Sequence, residues 1–200
     1  MADVYDRDSE LQSRLNAFLA DDLGLPSVDY YSRLDLAGFL KMKSVLSDIN
    51  NILTLKVSLA FAQRASSLLG LDRDTTRRIE SQVLATKPNA NGYDIELSDP
   101  VKIIAEIKCN IPINGGRVYG SAQKDGIAKD IDALVNGKSK SPMQPDDCLK
   151  FMVFLDTPEV RAASEHFVKN MKVHKERVCF TDNEKTIRSL DRVYVVFVTF

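Results

Sequence analysis

Histidine is almost missing from this chain: His166 and His174 are the only two, and the three cysteines, Cys109, Cys148 and Cys179, lie far apart with no CxxC pair. That supply of ligands disfavours a Cys/His zinc centre, and widely scattered cysteines fit a reducing compartment. No sign of charge dominates either, since 27 Lys and Arg meet 28 Asp and Glu for a formal net charge of −1. Bulk charge therefore does not recruit a polyanion, although a local basic groove stays open. No apolar run long enough to span a bilayer is read from the sequence, and the acidic opening MADVYDRDSE lacks the apolar stretch of a signal peptide. Neither an internal repeat nor a low-complexity segment is visible. What is present is ordinary for a soluble globular chain, expected in the cytoplasm: 200 residues, 44% apolar and 28% charged, enough for one sizeable core.

Hydropathy patterning predicts an N-terminal helical region over residues 1–70 and a core over 71–200. Ser9 is read as the cap of a helix to about Ala20, broken by Gly24 and Pro26. Two further helices are expected, one over about 34–50 and one over 52–69, then a fourth opened by Asp72 or Asp74 and closed before Pro88. From Asn91 the period changes to two. Tyr93, Ile95 and Leu97 alternate with Asp94 and Glu96, and Val101 to Cys109 follows as a second strand of an antiparallel hairpin. Ser121 to Asn136 is an amphipathic helix ended by Gly137. CLKFMVFLD is a buried strand, Thr157-Pro158 starts a helix to about Lys172, and RVYVVFVTF closes the chain as another strand. This order gives an α/β (α+β) fold, a mixed β-sheet flanked by helices.

One stretch of that sheet is unusual. On the second strand Val101, Ile103, Ala105, Ile107 and Cys109 share a face, while Ile104, Glu106 and Lys108 share the other. With SDP as a three-residue turn, Leu97 sits opposite Val101 and Asp94 falls diagonal to Glu106. With a five-residue loop, Asp94 sits directly across from Glu106. In either register two carboxylates and Lys108 project from one side, and two facing carboxylates call for a cation between them. Mg²⁺ suits such a pair, since it takes oxygen ligands and one or two carboxylates, and the Ile107 carbonyl is a further oxygen beside them. Glu80 follows TTRR at the edge of its helix's apolar line and is a third candidate carboxylate, with Arg77 within a turn as a phosphate contact.

A helix carrying Glu80, a strand carrying Asp94 and a strand reading Glu106-Ile107-Lys108 together resemble the PD-(D/E)xK nuclease superfamily, the restriction-endonuclease-like fold. The resemblance covers about residues 72–156 and is nearest, by chain length and added helices, to type II restriction enzymes. The next helix, GSAQKDGIAKDIDAL, supplies Gln123 and Lys124 at positions where such families often carry Gln or Lys. The QxxxY pattern of the RecB-like branch is absent, because Ile127 stands in place of Tyr, and two clear strands precede the helix where three are the family's pattern. The resemblance implies Mg²⁺-dependent (or Mn²⁺-dependent) hydrolysis of DNA phosphodiester bonds by a homodimer. Asp94 and Glu106 would hold the metal with the Ile107 carbonyl, Glu80 would be an outer ligand, and Lys108 would orient the attacking water. Gln123, Lys124, Arg77 and Arg117, the last in the loop Asn114 to Arg117, are the weaker substrate contacts.

Plainer explanations stand beside each of these. Glu and Lys alternating along a strand is most often a solvated face, Glu80 is as well explained by pairing with Lys87 or Arg77, and Gln123 and Lys124 by exposure in a first helical turn. Two other functions stay open. One is a non-catalytic nucleic-acid- or protein-binding module that keeps the fold, and the other is a nuclease of RNA or single strands.

Overall fold

The computed structural model describes residues 5–86, 92–113, 116–183 and 187–200. The chain falls into two compact units, Met1–Ile49 and Asn50–Phe200.

In the first unit, helix α1 (Arg7–Ala17) begins earlier than its sequence suggests. Asp6, not Ser9, is the cap, and its carboxylate accepts the amides of Asp8 and Ser9. A wider turn over Phe18–Asp22 extends the helix. Past Gly24, whose φ of +65° suits a residue without Cβ, the chain folds back. Asn16 Oδ1 accepts the amides of Tyr30 and Tyr31, and Asp29 receives Gln12, Asn16 and Ser32. Those bonds hold the Asp29 carboxyl far below its ordinary range.

Helix α2 runs unbroken from Leu36 to Leu69, where the sequence suggests two helices. Asn50-Asn51 contains neither Gly nor Pro, so nothing stops the hydrogen-bond ladder there. The join has two consequences. Taken whole, α2 is by length and composition alone long enough and apolar enough to cross a bilayer. Its later half also belongs to the second unit, so the division falls inside the helix and not near residue 70.

The second unit is built on one five-stranded sheet in the order β1-β2-β3-β5-β4, where β1 is Ile95–Leu97, β2 Ile103–Lys108, β3 Leu149–Leu155, β4 Val178–Phe180 and β5 Val193–Val198. β1 and β2 are antiparallel and the other pairings are parallel. Helix α3 (Arg73–Ala85) follows α2, opened by Asp72, which accepts the Thr75 amide. Helix α4 (Ser121–Asn136) connects β2 to β3, and α5 (Pro158–Lys169) follows β3 with Thr157 as its cap. Gly137 ends α4 at φ +100°, as its position in the sequence suggests. β4 carries no sequence signal, since three residues show no period.

Strand alternation divides the core into two layers. Ile103, Ala105 and Ile107 of β2 join Phe151, Tyr194 and Val196 under Val57, Phe61, Ala62 and Ala65 of α2 and Ile79 and Val83 of α3. Ile104 joins Met152, Phe154, Val195 and Phe197 under Ile127, Ile131 and Leu134 of α4 and Val160, Ala163 and Phe167 of α5. The fold is thus α+β, a mixed sheet with helices on both faces. Each fully buried Leu, Ile or Phe in these layers contributes roughly 1.5–3 kcal/mol of apolar burial.

Candidate functional site

The β1/β2 register decides the geometry of the charged hairpin. Leu97 pairs with Ile103 and Ile95 with Ala105, so five residues make the turn and the three-residue alternative is overturned. Continued one step, this register sets Asp94 across from Glu106, just before the regular strand begins. Asp94 Oδ2 accepts the Ile107 amide at 2.8 Å, a side chain taking the place of the next main-chain partner. Glu96 turns back the other way and accepts the Tyr93 amide at 3.0 Å, which shapes the approach to β1.

Glu106 is buried, at 4% exposure, between Ile104 and Lys108 on the same face of β2. A bare carboxylate there is costly, and the sequence supplies an answer that its local pattern does not advertise. Lys138, on the connection that follows α4, brings its Nζ to 2.5 Å from Glu106 Oε1. Asp130, on α4, forms an ion pair with Lys108. Three carboxylates (Asp94, Glu106, Asp130) and two ammonium groups (Lys108, Lys138) thus share one neighbourhood between the end of β2 and α4. Burial pushes the Glu106 carboxyl up to about 7, more than the Lys138 contact lowers it, with Asp94 and Asp130 adding like-charge repulsion. Asp94 is exposed as a residue, yet its carboxylate is packed among protein groups. Burial raises its carboxyl too, against the Ile107 amide and the two lysines.

Lys138 is held on three sides. Besides Glu106, it donates to the Gly92 carbonyl at 2.9 Å, and it sits 5.1 Å from the centre of the Tyr93 ring. The ring is fixed in turn, because the Tyr93 hydroxyl donates to the Ala133 carbonyl in α4 at 2.8 Å. Burial beside Glu106 pushes that phenol up to about 12, so it stays a donor at neutral pH.

Other residues singled out from the sequence lie elsewhere or have local work. Glu80 is on α3, whose apolar residues pack in the layer opposite that of Glu106, and it accepts a hydrogen bond from Gln63 of α2 at 3.0 Å. Gln123 closes the start of α4: its Oε1 accepts the Gly120 amide and its Nε2 donates to the Ile111 carbonyl. Lys124 is half-buried on the same turn, Arg117 is exposed, and Arg77 is exposed beside Asp74 at 3.6 Å. Asn114 and Gly115 of the loop before α4, and Lys87, suggested as a partner for Glu80, lie outside the described residues.

Among the described residues no group of three or more His, Cys, Asp or Glu side chains is arranged to hold a metal, so a set of Glu80, Asp94 and Glu106 does not form. A pair of carboxylates still suits a hard cation that brings its own waters. Two atoms favour that fit. Glu106 Oε1 and Asp130 Oδ2 are buried carboxylate oxygens, and each already holds a cationic group against it, Lys138 and Lys108 respectively. The donors are all oxygen, which matches Mg²⁺ or Mn²⁺ and not a thiophilic ion.

Asp130 and Lys138 are the two members that sequence reasoning missed. Asp130 sits on the apolar line of Ile127, Ile131 and Leu134, where an acid interrupts a buried helix face, and that was a usable signal. Lys138 lies in GKSKS, a run with every mark of a solvated linker, and only the fold brings it to Glu106. Comparison of the chain with family models, with curated proteins and with solved structures finds no match.

Proposed function

We propose that the protein is a metal-dependent nuclease acting on DNA phosphodiester bonds, with its site at the C-terminal end of β2. The observation that carries this reading is the placement of Asp94 across from Glu106, with Lys108 two residues further along the same face. This placement resembles the PD-(D/E)xK arrangement, and an α4 crossover between parallel β2 and β3 is compatible with such a core. Asp94 and Glu106 would hold Mg²⁺, which when bound stabilises charge growing on the phosphate oxygens and on the leaving oxygen. Asp94 lies at the exposed end of the pair, and a phosphate would approach from that side. Lys108 positions the attacking water, and Asp130 fixes the ammonium by pairing with it. Glu80 has no part in this version, since α3 covers the other face.

The test is cleavage of supercoiled plasmid DNA in Mg²⁺. Asp94→Asn and Lys108→Ala should each lose about a hundredfold or more in rate, the usual scale for removing a positioned group. Wild-type rates in both variants would end the proposal. A second reading rests on one observation: both buried carboxylates are already balanced by lysines. A binding module that keeps the nuclease architecture would look the same, would not cut plasmid, and would take up no Mg²⁺ at millimolar concentration. Restriction-type activity, a homodimer and a cytoplasmic location remain part of the first proposal, as does the choice of DNA over RNA.

A further inference from the structure

We infer that Lys138 is an internal counter-ion that competes with a divalent cation for Glu106, so that the ion enters only as the ammonium leaves. This rests on the metal-binding reading of Asp94 and Glu106 and adds to it a residue outside the hairpin.

Three observations converge on Lys138. Its surroundings are those of a bound cation: a carboxylate at 2.5 Å, a carbonyl at 2.9 Å and an aromatic face at 5.1 Å. The place is preorganised, because the Ala133 carbonyl receives both the Tyr93 hydroxyl and the Gly137 amide. One acceptor therefore fixes the ring and the end of α4 from which Lys138 departs. Glu106 Oε1 is buried, and the cationic partner against it is the Lys138 ammonium.

Lys138 and a metal ion exclude each other at that oxygen. A Mg²⁺ ion sits about 2.1 Å from a ligand oxygen. With the ammonium 2.5 Å from the same atom, the two cations stand less than about 5 Å apart in a partly buried site, where repulsion is strong. Lys138 is also the lysine able to yield. Lys108 is set in β2 and paired with Asp130, whereas Lys138 follows the glycine that ends α4 and belongs to no helix or strand. Its side chain is 26% exposed, so rotation about its own bonds takes the ammonium into water. The remaining charges, Asp94, Glu106 and Asp130 against Lys108, then sum to minus two, which one divalent ion neutralises.

Titration calorimetry with Mn²⁺ at about pH 8.5, well above the value of about 7 for Glu106, tests the inference without any catalytic readout. Wild type, Lys138→Met, Lys138→Gln and Lys138→Arg are compared, with thermal melting to show that each is folded. Removal of the charge should tighten Mn²⁺ binding at least about tenfold in the Met or Gln variant, whichever melts cooperatively, and Arg should bind like wild type. Wild type that binds Mn²⁺ with no tightening in the neutral variants overturns the role of Lys138 and leaves the metal site standing. No binding in any form overturns both, and a loss of binding in the neutral variants would make Lys138 a support of the site and not a competitor.

Discussion

Raising the pH from 4.5 to 7.5 should weaken the sheet unit, and Glu106 should be the cause. Its carboxyl moves from an ordinary 4.5 to about 7 on folding, chiefly because β2 and α4 remove it from water. The folded protein therefore binds this proton more tightly than the unfolded chain does. The stabilising contribution of the neutral acid is complete below about pH 4.5 and is lost as the pH climbs through 7. Each tenfold gain in proton affinity is worth about 1.4 kcal/mol, so the loss comes to about 3 kcal/mol. Residue exposure of 4% leaves no reason to discount it for solvent screening. The raised Asp94 carboxyl acts in the same direction. Asp29, Asp72 and Asp156 are lowered, so their contribution is present above the ordinary 3.8 and fails only in stronger acid, outside this window. Urea unfolding followed by near-ultraviolet circular dichroism, between pH 4.5 and 8, reads the effect. Wild type should lose stability across the window, and Glu106→Gln should lose about 3 kcal/mol less. Parallel curves for the two proteins would refute the claim that the buried carboxylate is what folding penalises.

Two simpler substitutions probe the scaffold. Thr157→Ala removes the hydroxyl that accepts the Val160 amide at 3.2 Å and should cost about 1 kcal/mol in the same urea experiment. Phe151→Ala opens a cavity where a fully buried ring meets Phe61 at 5.1 Å and Tyr194 at 5.8 Å, and should cost about 3–5 kcal/mol. A smaller loss than with Thr157→Ala would mean that the layer under α2 collapses to fill the space.

Much of the sheet unit is legible because its signals are local. Gly137 stops α4 and Thr157-Pro158 starts α5 where their chemistry says they should. Apolar alternation places β2, and the runs of β3 and β5 fit only buried strands. The failures are equally physical. A turn of Ser, Asp and Pro fits two loop lengths, so the hairpin register depends on which apolar rows meet the core. An Asn pair weakens a helix without ending it, so the pattern of α2 reads as two helices. At the site, Asp94, Glu106 and Lys108 can be found from period two alone, since they lie on one hairpin. Asp130 and Lys138 reach them only through the packing of α4 on the sheet, a contact no spacing along the chain encodes.

The alternation of β2 has a consequence for how this sequence is free to vary. Its odd-numbered residues answer to α2 and α3, and its even-numbered ones answer to α4 and to the charged cluster. A change in one row leaves the other undisturbed, so the packing under the long helix and the chemistry across the sheet can drift independently. Length is the exception. One residue gained or lost between Ile103 and Glu106 would exchange the rows downstream, turning carboxylate and ammonium toward the apolar helices and isoleucine toward Asp94. Selection on this strand should therefore tolerate many substitutions while forbidding insertion and deletion.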